Sequence, residues 1–289
     1  LTDKSLDPLL EEDADIIQLN EKKMLGLIKH NEIKKQNLFF NMDEKDRLNE
    51  LTGILAQKSF SKIQKRLSEK NMPTGIAILF HGAPGTGKTQ STYQIAYQTG
   101  RDLILVDISD TKSMWFGESE KRIKGVFNDY KRLANKGNQV PILVFNEADA
   151  IFSKRQDVDC SGVGQTENAI QNIILQEMED FEGILIATTN LTFNFDKAFE
   201  RRFLYKIEFH KPDVKTRTLI WKDKIPDLTD EQAGILAEKF EISGGSIENV
   251  VRKVEMNAIL GTTKLNFPLA EGYCTAEFSN SNEKRKIGF

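Results

Sequence analysis

Cysteine is almost missing from this sequence: 289 residues contain two, Cys160 and Cys274. They lie far apart and match no metal-ligand spacing, which excludes a disulfide framework and suits a reducing compartment, so a cytoplasmic location is expected. An excess of one charge sign is missing too. Lys and Arg number 40 against 43 Asp and Glu, a net charge of −3, which removes any global pull toward nucleic acid or an anionic membrane. No uninterrupted apolar stretch approaches ~18 residues, so no membrane-spanning helix is expected. No His-Glu-x-x-His occurs, which excludes an attached zinc metalloprotease in this chain. Internal repeats are absent. The chain opens on Leu1 rather than Met, so a trimmed sequence is expected, which excludes neither a signal nor a further domain ahead of it. The remaining balance, 39% hydrophobic and 29% charged, is that of a soluble globular protein with length for one large domain or two smaller ones.

One motif stands out. Gly82-Ala83-Pro84-Gly85-Thr86-Gly87-Lys88-Thr89 has the complete form GxxxxGK[ST]. The apolar run Gly75–His81 enters it and a helix-compatible run, Gln90 to Thr99, leaves it, which is the strand–loop–helix setting this motif requires. The glycines allow backbone N–H groups to turn inward around phosphates, and the following helix aims its positive dipole end at them. Lys88 reaches the outer phosphates and the Thr89 hydroxyl ligates Mg²⁺. The motif therefore predicts ATP or ADP with Mg²⁺ as cofactors, bound by Gly82, Pro84, Gly85, Thr86, Gly87, Lys88, Thr89 and Gln90.

Residues 1–20 are acidic and weakly periodic and read as a mobile leader. Met24, Leu25, Ile28 and Ile33 suggest one short helix. A longer one follows Asp43, read as its N-cap, with Leu48, Leu51, Leu55, Ile63 and Leu67 at helical spacing up to Asn71-Met72-Pro73. From Gly75 the pattern alternates. Buried strands are expected at 103–106, 142–145 and 184–187, and an edge strand at 205–209. Helix faces are marked by Ile123, Val126, Phe127 and Tyr130 and by Ile170, Ile173, Ile174 and Met178. The polar stretch Gln156 to Thr166 reads as a loop. Apolar strands alternating with helices imply a parallel sheet sandwiched by helices, with ligands beyond the carboxyl ends of the strands. After Lys211-Pro212-Asp213 strand runs disappear and amphipathic helical segments follow, around 214–224, 230–240 and 246–260. The expected fold is thus an α/β P-loop NTPase sheet followed by a smaller all-helical lid domain. Its divisions are a partly helical leader at 1–40, a nucleotide-binding domain at 41–211 and the lid at 212–289.

Strand 142–145 ends in Asn146-Glu147-Ala148-Asp149. A strand that delivers a carboxylate supplies the second half of a nucleotide hydrolysis site, and Glu147 can orient and polarise a water toward the γ-phosphate. The alternative is an ordinary surface acid at a strand end. Strand 184–187 runs on into Thr188-Thr189-Asn190. The Asn190 amide can hold the attacking water or touch the γ-phosphate, although an Asn there also serves as a turn former. Arg201 and Arg202 can stabilise transition-state charge across a subunit boundary, the alternative being a solvated basic pair.

Taken in order, the phosphate loop, Gly117-Glu118-Ser119-Glu120, Glu147-Ala148-Asp149-Ala150-Ile151, Ala187-Thr188-Thr189-Asn190, Asp196-x-Ala198-x-x-Arg201-Arg202-Phe203 and Ser243-Gly244-Gly245 resemble the AAA family of ATPases, within the wider AAA+ group. The resemblance covers about residues 40 to 260. It is strongest to the protein-remodelling branch that includes katanin and spastin, and extends to uncharacterised bacterial AAA proteins. It implies a catalytic set of Glu147, Asn190 as sensor, and Arg201 and Arg202 as fingers reaching a neighbour's ATP. It also implies a hexameric ring acting on polypeptide substrates. Met114–Ser119 matches the pore loop, with Trp115 and Phe116 gripping the substrate. Gly245, opening a lid helix, is placed near the adenine. The family usually carries Asp-Glu where this chain has Asn146-Glu147. Asn146 can still accept a hydrogen bond from Mg²⁺-bound water but brings no negative charge, so the metal, held by Thr89 and Asn146, is expected to bind less strongly.

The leading reading is Mg²⁺-dependent ATP hydrolysis driving protein remodelling or unfolding in an oligomeric ring. One alternative is a nucleotide-gated scaffold with weak hydrolysis, suggested by Asn146. A second is a DNA-acting AAA+ ATPase, against which the near-neutral charge and Trp115 count. No membrane partner and no nucleic-acid partner are expected.

Overall fold

The computed structural model describes residues 26–107, 119–137, 139–152, 162–191, 196–260 and 267–286. Six strands, β1 (Leu27–Ile28), β2 (Ile76–Gly82), β3 (Leu103–Asp107), β4 (Ile142–Asn146), β5 (Ile184–Thr189) and β6 (Tyr205–Phe209), form one sheet in the order β1-β3-β4-β5-β2-β6. The consecutive pairs β3·β4 and β4·β5 are parallel, with Ile142 opposite both Leu103 and Ile184. Their apolar runs are what a strand buried on both faces requires. All of β5 is buried, and so is β4 up to Phe145. The fold is the expected mixed α/β arrangement, a mostly parallel sheet among helices with a helical C-terminal part.

The chain divides into two compact units. One gathers the described residues up to Lys35, Thr52–Phe80 and Thr92–Lys206; the other gathers Gln36–Leu51, His81–Ser91 and the described residues from Ile207 on.

In the first unit, one sheet face (Ile104, Leu143, Phe145, Leu185, Ala187) packs against Ile123, Phe127 and Tyr130 of a helix at Ser119–Lys136 and Ile170 and Ile174 of another at Gly162–Glu179. Phe127 meets Phe145 edge-on at 5.8 Å, a favoured aromatic geometry. The Tyr130 hydroxyl donates to the Pro141 carbonyl and accepts from the Ile184 N–H, each at 2.9 Å. Burial pushes its phenol well above the ordinary value. The helix at Gly162–Glu179 starts inside the stretch read as a loop, so that expectation is corrected for residues 162–166; residues 153–161 lie outside the described set.

Two further expectations are corrected. The single long helix after Asp43 is two: α1 (Met42–Leu55) and α2 (Gln57–Ser68), broken at Ala56 with ψ 139°. Asp43 is not the cap but the second residue of α1. Asn41 precedes the helix, its carbonyl takes the first helical bond from Lys45 N–H, and Glu44 accepts the Asn41 N–H at 3.2 Å, one half of a capping box. The break is held by buried Arg101, whose Nε donates to the Leu55 carbonyl at 2.9 Å and whose Nη1 donates to the Val140 carbonyl at 2.5 Å. The guanidinium also lies 4.9 Å from the Phe60 ring centre. A cation at the last carbonyl of α1 complements the helix dipole.

The short helix expected around Ile28 is instead β1, pairing antiparallel with β3, followed by a 3₁₀ turn at His30–Glu32. Gly26 dictates this: its φ is +60°, and a Cβ there would lie 2.3 Å from the Leu105 carbonyl oxygen. Asp102 then anchors the segment, accepting from the His30 N–H at 3.0 Å, facing His30 Nδ1 at 2.9 Å, and accepting from Lys29 Nζ at 3.0 Å. Burial alone would raise the Asp102 carboxyl, but these donors outweigh it and hold it below the usual range. Met24, Leu25 and the leader at 1–20 lie outside the described residues.

In the second unit, helices at Val214–Lys224, Asp230–Lys239 and Gly244–Leu260 appear where the periodicity predicts them. They close around fully buried Trp221, Leu236, Ile247 and Val250. A fourth helix, Phe267–Lys286, has no counterpart in the sequence reading. Ala270 and Cys274 turn inward, one helical turn apart, and Phe278 meets Phe240 at 6.1 Å. Burial, then the Glu271 and Glu277 charges, push the Cys274 thiol up to about 12.

Candidate nucleotide site

The phosphate loop leaves β2 at Gly82 and enters α3 (Lys88–Thr99). Two glycines are required by space as well as torsion. At Gly82 (φ +135°) a Cβ would lie 2.1 Å from the Phe209 carbonyl oxygen, and at Gly85 (φ +73°) one would lie 2.7 Å from Ser243 Oγ. Lys88 is nearly buried, and its Nζ donates to the Gly82 and Ala83 carbonyls at 2.7 and 2.8 Å, while Thr86 Oγ1 donates to Ala83 at 2.8 Å. The cation is thereby held within the loop's own curl. Pro84 and Gln90 are exposed, and Thr89 sits in the first turn of α3. A loop curled around an ammonium group, with a helix N-terminus behind it, fits the phosphates and metal of a Mg²⁺-nucleotide.

Gly245 meets the loop directly: its N–H donates to the Gly85 carbonyl at 2.9 Å. Ser243 Oγ caps this helix start by accepting the Ser246 N–H at 3.2 Å. The sequence reading missed Phe40. A Cβ at Gly87 would lie 3.4 Å from the Phe40 ring, which also meets Phe209 edge-on at 5.7 Å. Nothing local to Asn37–Asn41 signals this, because the partners lie 47 and 169 positions away in sequence.

The strand-end residues belong to the other unit. Asn146 is the last residue of β4, in register with Asp107 of β3. Glu147 follows, exposed, with φ +51°, a left-handed backbone that is uncommon outside glycine. Buried Thr188 holds both residues. Its Oγ1 accepts the Glu147 N–H at 3.2 Å and donates to Asn146 Oδ1 at 2.9 Å, and its carbonyl accepts the Ala148 N–H at 2.9 Å. Asn190 just follows β5 and is exposed; Asp149 accepts its backbone N–H at 2.8 Å and its side-chain amide at 3.5 Å. Thr189 also donates to Asp149. Thr188 and Asp149 are supporting residues that the motif reading did not single out.

Arg201 and Arg202 end a short helix, Lys197–Arg202, capped by Asp196, which accepts the Ala198 N–H at 2.7 Å. They part company: Arg202 is ion-paired with Glu179, whereas Arg201 is exposed and has no partner among the described residues. Trp115 and Phe116 lie outside the described residues, so the pore-loop expectation has no structural counterpart.

A glycine-lined loop between a strand and a helix, in a mostly parallel sheet with a carboxylate at the end of another strand, is the plan of a phosphate-loop nucleotide-binding domain. Residues 78–211 match the family described as ATPase family associated with various cellular activities (AAA), and the chain carries a domain of that family. The chain is 25% identical over 252 residues to Cell division protein C of Sulfolobus acidocaldarius, covering 80% of this chain and 64% of that protein. It is 26% identical over 196 residues to the ATPase family AAA domain-containing protein FIGL1 of Arabidopsis thaliana, covering 64% and 28%. The solved FIGL-1 AAA domain in complex with ADP superposes with a TM-score of 0.67 at 18% identity, covering 93% of this chain and 97% of that one. FIGL1 among these relatives agrees with the katanin- and spastin-like branch that the motifs indicate. The chain spans less than two thirds of the length of the curated relatives it matches first.

Proposed function

We propose that this chain binds ATP with Mg²⁺, hydrolyses it, and uses the energy to remodel or unfold polypeptides in a hexameric ring in the cytoplasm. The observation that carries the reading is the exposed Glu147, set at the end of β4 in a left-handed backbone that Thr188 supports. Gly82, Pro84, Gly85, Thr86, Gly87, Lys88, Thr89 and Gln90 take the phosphates, and Gly245 brings the lid helix to the nucleotide. Thr89 would hold the metal, with Asn146 beside it at the end of β4; the metal would neutralise and polarise the phosphate oxygens. Glu147 orients the attacking water, and Asn190, fixed by Asp149, positions it. Arg201, free of any described partner, reaches the next subunit's nucleotide, and Arg202 stands behind it on Glu179. Trp115 and Phe116 grip the polypeptide. The nucleotide-binding domain runs from 41 to 211 and the lid from 212 to 289. The family description and the ADP-bound structural neighbour support nucleotide binding, and the near-neutral charge counts against a DNA-acting ATPase.

A second reading, a nucleotide-gated scaffold with weak turnover, is favoured by the uncharged Asn146 and by the engagement of its carbonyl with Thr188. Phosphate release and titration calorimetry with ADP decide between the two. The parent chain should bind ADP and release phosphate. Lys88→Ala should lose both, and Glu147→Gln should keep binding and lose release. ADP binding that persists undiminished in Lys88→Ala would refute the site; a parent that binds but releases no phosphate would establish the scaffold.

A further inference from the structure

The carboxyl ends of β3, β4 and β5 carry Asp107, Asn146 and Thr188. Asp107 and Asn146 are paired in register on parallel strands, and residues so paired point to the same sheet face. Val106 and Phe145, one position back, face the opposite way into the aromatic core. Thr188 completes the row, donating to Asn146 Oδ1 at 2.9 Å from the other side. Three polar side chains thus lie abreast, and only Asp107 is charged. An amide whose oxygen is engaged toward β5 presents its NH₂ donors on its other edge, the side of β3 and Asp107. The Asp107 charge also reaches the neighbouring helix: the Tyr93 phenol is raised first by burial and then by Asp107.

A hydrated divalent cation is held best by anionic oxygen acceptors. We propose that Asp107 supplies this anionic acceptor. Asp107 receives hydrogen bonds from the water shell of the nucleotide's Mg²⁺, and Asn146 serves as a neutral bridge between Asp107 and Thr188. The negative charge of the metal site is therefore moved one strand over rather than lost. The proposal rests on the reading that this chain binds a Mg²⁺-nucleotide.

The test uses Mn²⁺ as a paramagnetic stand-in for Mg²⁺, titrated into the full chain with ADP and followed by electron paramagnetic resonance, with a thermal melt of each variant. Asp107→Asn should weaken Mn²⁺ retention about tenfold, the size of an outer-shell effect on a metal site, while ADP affinity in EDTA stays at the parent value. Adding Asn146→Asp to Asp107→Asn returns the charge to the row on the next strand and should restore retention. Unchanged Mn²⁺ retention in Asp107→Asn overturns the proposal. So does a loss that the double variant fails to recover, because Asp107 would then matter for packing alone. Failure of the underlying reading looks different: the parent chain itself would retain neither ADP nor Mn²⁺.

Discussion

Replacing Thr188 with Val keeps the shape of the side chain and removes one oxygen. That oxygen makes two hydrogen bonds, accepting from Glu147 N–H and donating to Asn146 Oδ1. Each is worth about 0.5–1.5 kcal/mol net, so the pair contributes about 1–3 kcal/mol. On the other side of the balance, a non-glycine residue in the left-handed region costs about 1–3 kcal/mol, and Glu147 is such a residue, at φ +51°. The two terms are of one size. Without the hydroxyl, Glu147 has little to hold it in its observed backbone, and a loss of about 1.4 kcal/mol lowers the population of that conformer about tenfold. Thr188→Val should therefore cut ATP turnover about tenfold at unchanged ADP affinity and lower the melting temperature by about 2–12 °C. Thr188→Ser keeps the oxygen and should recover most of the turnover. Phosphate release, ADP calorimetry and a thermal melt on the three proteins complete the experiment. Parent-like turnover in Thr188→Val would refute the link between the hydroxyl and Glu147. A loss in Thr188→Ser with parent-like turnover in Thr188→Val would show that the methyl group, not the oxygen, matters.

Mixing an Arg201→Ala/Arg202→Ala protein with a Glu147→Gln protein should restore part of the ATP turnover that each lacks alone, because a mixed interface pairs intact arginines with an intact glutamate; no recovery at any ratio argues for a monomeric enzyme. Asp102 is depressed in the folded state, so its stabilisation is present at neutral pH and lost as pH falls through the folded value. Urea titrations should accordingly find Asp102→Asn less stable than the parent at pH 7, with the difference closing once the pH is taken below the ordinary 3.8; a difference that stays constant with pH counts against the anchor. Trp115→Ala should leave the melting temperature and basal ATP turnover in place and cancel stimulation by an unfolded polypeptide. A core tryptophan would instead cost ~3–5 kcal/mol, so a large drop in melting temperature sinks the pore assignment.

The features legible in the sequence are those whose causes are local. Ile142–Phe145 and Ile184–Ala187 are continuous apolar runs, and a run of that kind has few places to go except a strand covered on both faces. The phosphate loop is a contiguous octapeptide, so its glycines and lysine announce themselves. What escaped the sequence has a distant cause. Ile28 joins a strand because Gly26 and Leu105 meet backbone to backbone, and the periodicity of residues 24–33 contains no trace of Leu105. The helix break after Leu55 depends on Arg101, 46 positions later. Among its described side chains, the helix at Phe267–Lys286 buries a narrow stripe, too thin a signal among its polar neighbours and Pro268. In the site, Glu147 and Asn190 were legible as strand-end polar groups, while the residues that hold them, Thr188 and Asp149, are tied to them across 41 positions.

The bond from the Gly245 amide to the Gly85 carbonyl has a mechanical consequence. It fastens the tip of the phosphate loop to the first turn of the helix at Gly244–Leu260, which is itself embedded in the Trp221 core. A displacement of Gly85 as a phosphate seats or departs must therefore break that bond or be handed on along a 17-residue rigid rod. At 1.5 Å per residue such a rod is about 25 Å long, so a small tilt at the loop becomes a larger excursion at its far end, where Met256, Ile259 and Leu260 stand exposed. The helix thus joins the phosphate loop at one end to an exposed apolar tip at the other.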